Sequence, residues 1–232
     1  MARPRSGYIT SMVTTPITEP TAQSLVFGHL PIAFDDRVLR PRPWTVAQSR
    51  WAAEQLLELP GPGRILELCA GAGHIGLLAL ALARSTEHRL VAVDVNAAAC
   101  ELERRNADAN GLGAQIDVRE GRADDVLAPD EQFDLVIADP PWVPHSQTIR
   151  FPGDPVIAID GGADGLDVAW SCIRACETHL VEGGSVVLQL GSVGQAHQVR
   201  DVLHGGASRL LVREIRPFGT QGVLVLLASG VA

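Results

Sequence analysis

The sequence predicts an α/β fold, with a mostly parallel sheet, helices on both of its faces and an antiparallel last strand. Three observations carry that prediction. Short apolar runs alternate with helix-like runs from residue 64 to residue 204, the pattern of parallel strands joined by crossover helices. A glycine turn, Glu67-Leu-Cys-Ala-Gly-Ala-Gly73-His-Ile-Gly76, stands between the first such strand and the first such helix. The last two apolar runs are joined only by Gly219-Thr-Gln-Gly222, which permits a hairpin but no crossover helix.

The elements follow in chain order. Residues 1–24 are rich in Thr, Pro and Ser with few large apolar groups and read as a flexible arm, ahead of one domain over 25–232. Between residues 25 and 38 the apolar residues are broken by Gly28, Pro31 and two aspartates, which favours short strands or a hairpin that walls one side of a site. Thr45 is placed to cap a helix running to Leu59, with Val46, Ala53, Leu56 and Leu57 on its inner face and Arg50, Glu54 and Glu58 outside. Pro60-Gly-Pro-Gly63 stops it. Then come a strand over 64–69, a helix over 74–84, a strand over 89–95, a helix over 97–110, and strands over 116–120 and 133–138. The second half gives a helix over 165–180, a strand over 185–190, a helix over 194–204, and strands over 210–217 and 222–228.

With 232 residues, the chain suits a single domain able to bury an adequate core without staples. No apolar run approaches the roughly 20 residues of a membrane helix, and the N-terminus lacks the apolar core of a secretory signal, so a cytoplasmic location follows by default. Cys69, Cys100, Cys172 and Cys176 show no C-x-x-C spacing and read as reduced thiols; no metal site is expected. A formal net charge of −8 lowers the odds of a phosphate-backbone partner. Arg37, Arg40, Arg42 and Arg50 are the one candidate basic patch, and solvated charges around a helix start explain them equally well.

Three signals locate a site. Glycines in the turn let backbone approach a ligand, and the helix start behind them offers N–H groups. Asp94 ends the second strand roughly twenty residues later, where a carboxylate can take both ribose hydroxyls. Asp139-Pro-Pro-Trp142 ends the fourth strand. A nicotinamide cofactor would suit the first two signals, but Asp139-Pro-Pro-Trp142 has no part in hydride transfer.

In that order the three signals resemble the class I S-adenosylmethionine-dependent methyltransferases, whose Rossmann-like seven-stranded sheet ends in an antiparallel strand. The resemblance implies S-adenosylmethionine as cofactor, with Glu67 and the backbone of Cys69, Ala70, Gly71 and Gly73 facing its tail and sulfonium, and Asp94 on the ribose. It adds Thr45, Val95 and Asp139 to the cofactor wall. After the third strand the family places an acid and a small residue at the adenine; Arg122 stands where the acid belongs, Ala123 offers the backbone donor, and Asp124 is placed to take over the amine. At the methyl-transfer site Asp139 and the Pro140 carbonyl would hold two hydrogens of one NH2, with Pro141 continuing the turn and Trp142 stacking on the attached planar group.

Val38-Leu-Arg-Pro-Arg-Pro-Trp-Thr45 and Pro155-Val-Ile-Ala-Ile-Asp-Gly-Gly-Ala-Asp-Gly-Leu-Asp167 narrow the resemblance to the glutamine methyltransferases of peptide-chain release factors, over about residues 27 to 228. Those carry I-P-R-P-x-T, N-P-P-Y and A-L-D-G-G-x-D-G-L. Here Asp139 and Trp142 replace the Asn and Tyr, Trp44 stands where an acid is usual, and the helical domain of the bacterial enzymes is missing. The first reading is therefore N-methylation of a protein side-chain amide, with a small activating partner compatible with the missing domain. A nucleobase amine or a small metabolite is the alternative acceptor, and a non-catalytic cofactor-binding subunit is the alternative from another class.

Overall fold

Antiparallel pairing of β1 (Gln23–Phe27) with β2 (Leu30–Phe34) makes the hairpin expected over 25–38. Gly28 turns it at φ +62 and rests on Leu78, where a side chain would collide. The computed structural model describes residues 22–230. The expected arm thus lies largely outside the described residues, and its last two, Gln23 and Ser24, already belong to β1. Phe27, Leu30, Ile32 and Phe34 are buried, so the hairpin is part of the core and not a loose cover.

A single 3-10 turn, Pro43–Thr45, leads into α1 (Val46–Leu57). Thr45 does not cap this helix as expected: its backbone is already helical, and its Oγ1 donates to the Arg42 carbonyl at 2.8 Å. Leu57 is 67% exposed, whereas Gln48, Ser49 and Trp51 are buried. The inner face is rotated because Trp51, the largest apolar side chain of the helix, goes inward, with the Arg216 guanidinium 3.8 Å from its ring centre.

The main sheet has seven strands, β3 (Arg64–Leu68), β4 (Arg89–Asp94), β5 (Ile116–Glu120), β6 (Phe133–Ala138), β7 (Leu180–Leu190), β8 (Leu210–Pro217) and β9 (Val223–Ser229), in the order β5-β4-β3-β6-β7-β9-β8. Pairing is parallel from β5 to β7, and β9 runs antiparallel to both β7 and β8. This is the sheet the sequence predicts. Its helices are α2 (His74–Ala83), α3 (Ala97–Ala109), α4 (Ala123–Val126), α5 (Val156–Ile159), α6 (Asp167–His179) and α7 (Val193–Gly205).

Strands buried on both faces make two cores. Ile65, Leu135, Ile137 and Val187 pack with the hairpin and α1 to α3; Leu66, Leu68, Val136 and Leu188 pack with α6 and α7. The chain winds outward one way from β3 to β5 and the other way from β6 to β7, so a crevice opens beyond the carboxyl ends of β3 and β6. β7 starts five residues before its expected first residue, taking Gly183, at φ +76, and Gly184 into an irregular strand start. Among the described residues no helix is long and apolar enough to cross a membrane, no His, Cys, Asp and Glu group could hold a metal, and the four cysteines are free thiols.

Candidate active site

One cavity of about 1190 Å³ occupies that crevice. Cys69, Ala70 and Gly71 form its floor. Cys69 and Gly71 sit in left-handed backbone at φ 59 and 58, and Gly73, at φ 76, starts α2. The Cβ position of Gly71 meets no atom within 4 Å, so the chain leaves bare backbone where a ligand could lie. Asp94 braces this loop: its Oδ2 accepts from the Gly71 N–H at 2.8 Å and its Oδ1 from the Asn96 N–H at 2.9 Å. Burial raises its pKa, although those N–H groups pull it back down.

Thr45, Cys69, Ala70, Gly71, Asp94, Val95, Arg122, Ala123, Asp124, Asp139, Pro140, Pro141 and Trp142 all line this one cavity. Glu67 and Gly73 lie outside this lining. Glu67 is 1% exposed beneath the loop, with Oε1 accepting from the Gly76 N–H at 3.0 Å. Burial, with added repulsion from Asp139 and Asp94, pushes its pKa up to about 8. Gly73 is needed for packing, since a side chain there would strike Glu103 of α3. Arg122 stands in extended backbone just before α4, with Asp124 in the first turn of that helix, and the Gly121 N–H donates to the Asp94 carbonyl at 2.9 Å.

Asp139 leaves β6 with its N–H on the Leu68 carbonyl at 3.3 Å. Burial pushes its carboxyl up to about 7, without the backbone donors that brace Asp94. Trp142 is held from behind. The Gln195 Nε2 donates to its carbonyl at 3.0 Å and to that of Gly165 at 3.3 Å, while Oε1 accepts from the Gly191 N–H at 2.9 Å. Gly191 lies against the indole, leaving no room for a side chain. The loop after α5 zips alongside: the Gly161 N–H reaches the Val143 carbonyl at 2.9 Å, and His145 Nδ1 meets Asp160 Oδ2 at 2.6 Å, holding the Asp160 carboxyl below its usual range.

Sequence reasoning passed over three glutamines and a histidine. Gln48 is fully buried and donates to the Ala138 and Val187 carbonyls at 3.0 and 3.1 Å, just before Asp139. The signal was a polar residue in line with Ala52 and Leu56 on the buried face of α1. Gln195 was marked by Ser192-x-x-Gln195, a capping-box spacing whose Gln here reaches one residue further back. His74 lines the cavity with Nδ1 unbonded, and burial lowers it to about 3, so the ring is neutral. Gln189 also lines it, with no preceding signal beyond an amide in an apolar strand.

At the mouth, Arg42 meets Asp154 at 2.6 Å, and Arg40 lies 5.5 Å over the Phe34 ring; away from the lining, Arg37 meets Asp35 at 2.6 Å and Arg50 stands exposed on α1. The candidate basic patch is thus largely engaged within the molecule. Trp44 takes the place of the family's acid by packing on Gly222 and tilting against Phe218 at 6.2 Å between ring centres. Phe151, Val156 and Ile157 form an apolar lip, with Val156 and Ile157 58% and 61% exposed.

The family model described as the methyltransferase small domain matches residues 49–204. The chain is 33% identical to the release factor glutamine methyltransferase of Mycolicibacterium smegmatis, over 78% of this chain and 63% of that one. It is 31% identical to the ribosomal protein uL3 glutamine methyltransferase of Bradyrhizobium diazoefficiens, over 70% of this chain and 53% of that one. It therefore spans between half and two thirds of the length of these relatives. Among solved structures, the hMettl16 catalytic domain in complex with MAT2A 3'UTR hairpin 6 superposes with a TM-score of 0.66 at 16% identity, over 88% of this chain and 76% of that one. The ribosomal protein L11 methylase of Lactobacillus delbrueckii gives 0.61 at 14% identity, over 84% and 82%. At such identities the likeness is one of fold.

Proposed function

Because this chain belongs to the methyltransferase small-domain family, we propose that it is an S-adenosylmethionine-dependent N-methyltransferase acting on the carboxamide nitrogen of a protein glutamine. The observation that carries this reading is one cavity holding both halves of such a site: the Gly71 and Asp94 loop, and Asp139-Pro-Pro-Trp142 facing it. The residues fit the cofactor. Bare backbone at Gly71 leaves room for its tail, and each Asp94 oxygen, with one N–H already bound, retains a lone pair for a ribose hydroxyl. Val95, 53% exposed at the wall, offers an apolar face for the adenine, with Arg122, Ala123 and Asp124 at its rim.

When bound, S-adenosylmethionine supplies an electrophilic methyl on a cationic sulfur. The chain's own part is to aim a nitrogen lone pair along that line. Asp139 accepts one N–H of the acceptor and the Pro140 carbonyl the other, while Trp142, fixed by Gln195 and Gly191, covers the planar amide. As the nitrogen gains a fourth bond, positive charge builds on it, and an ionised Asp139 stabilises that charge more than it stabilises the resting amide. One N–H proton then leaves toward Asp139. Gln48 keeps the strand ends from which Asp139 departs at fixed separation.

An apolar lip and arginines engaged in ion pairs suit a polypeptide better than a phosphate backbone. The two relatives named for release factor and uL3 glutamine point the same way. The test is incubation of purified protein with methyl-labelled S-adenosylmethionine and purified bacterial release factor, uL3 or cell extract. Label released by protease and lost in Asp139→Ala supports the reading. Label in RNA, DNA or small molecules overturns the acceptor, and cofactor binding with no turnover on any acceptor favours a non-catalytic subunit.

A further inference from the structure

Gln189 is 3% exposed in a strand otherwise built of Val and Leu, and it lines the cavity. A buried amide is costly unless its polar atoms find partners. Its buried Oε1 has no hydrogen-bond partner among the described residues. Its position explains what it faces. Ala138 pairs with Leu188 in the parallel ladder of β6 and β7, and Asp139 and Gln189 each follow by one residue. Side chains at matching places on neighbouring strands, about 4.8 Å apart, point to the same face. Asp139 and Gln189 are thus side by side at the end of the sheet.

The family's Asn can accept from an amide NH2 and also donate to the carbonyl beside it; Asp139, ionised, can only accept. A carboxamide held by Asp139 and Pro140 alone would leave its own oxygen without a donor from the chain. We infer that Gln189 supplies that donor, its Nε2 bonding the carbonyl oxygen of the acceptor amide while Asp139 and Pro140 hold the nitrogen, which makes Gln189 the residue that selects amides over simple amines. This rests on the glutamine reading above. It goes beyond it in assigning the acceptor's oxygen a partner and in explaining how the site works with Asp in place of Asn.

The experiment compares the unsubstituted chain with Gln189→Met, which removes both donors without adding charge, using release factor or uL3 as acceptor. Gln189→Glu, which keeps the shape and cannot donate when ionised, serves as the second variant should the first fail to fold. The expected result is a fall in kcat/KM of roughly 10- to 100-fold, with much of it in KM, and an unchanged calorimetric Kd for S-adenosylmethionine. A rise in KM with kcat little changed marks lost contact with the acceptor, which a purely structural role for Gln189 would not produce. Turnover in Gln189→Met within about twofold of the unsubstituted chain overturns the inference alone, as does a weakened Kd for S-adenosylmethionine that accounts for the loss. No glutamine methylation by the unsubstituted chain overturns both the inference and the reading on which it rests.

Discussion

Two aspartates share one cavity and behave differently because of their nearest backbone. Asp94 takes the Gly71 and Asn96 N–H groups. Asp139 has no such donors, and burial alone pushes its pKa up to about 7. An unfolded aspartate ionises near 3.9, so the protonated folded form contributes stability that is complete below about pH 3.9 and is lost as pH rises through about 7. Activity runs the other way, since only the ionised carboxylate accepts freely. Methyl transfer should rise as pH climbs through about 7, and Asp139→Asn should lose that ionisation; a rate independent of pH from about 6 to 8 in the unsubstituted chain refutes this use of Asp139. Gly71 gives a second test. Alanine there faces left-handed backbone at a cost of about 1 kcal/mol and projects a methyl into the cavity, so cofactor affinity measured by calorimetry should drop by about tenfold or more while the fold survives. Unchanged affinity would remove Gly71 from the cofactor wall.

At the scale of elements, the seven strands were readable because each apolar run is bounded by Gly, Pro or Asp, and the β1–β2 hairpin because Gly28 and Pro31 interrupt it. The 3-10 turn His145–Arg150 and α5 were not, since four to six residues show no period. Nor could the sequence tell that Glu67 lies beneath the glycine loop: which alternate side chain at a strand end meets the cavity depends on how α2 closes over it. On the proposed acceptor side, the capping-box spacing marks Gln195 at the start of α7 but not its reach to the Trp142 carbonyl, which lies 53 residues away in the chain. Gln195→Ala should release the Trp142 carbonyl and the Gly191 N–H, lowering stability by about 1–3 kcal/mol by chemical denaturation. It should lower kcat more than it weakens cofactor binding. Equal losses in both would mean that α7 supports the whole sheet end and not the acceptor side in particular.

For the whole molecule, the two cores meet only through the sheet, and the cavity lies where their helices part, so a ligand bound there joins loops from β3, β4, β5 and β6. S-adenosylmethionine at about 100 times its Kd should stabilise the fold by about 2.7 kcal/mol, or roughly 5–10 °C in Tm for a chain of this size. NADH should give no shift; a shift from NADH alone would restore the nicotinamide alternative. Trp44 rests on Gly222, and Thr220 and Gln221 line the same cavity. During synthesis the cofactor loop and Asp139 therefore emerge from the ribosome well before the wall that steadies Trp44. A chain halted before the β8–β9 turn therefore lacks Thr220 and Gln221, which complete one wall of the cavity, and the Gly222 surface against which Trp44 packs.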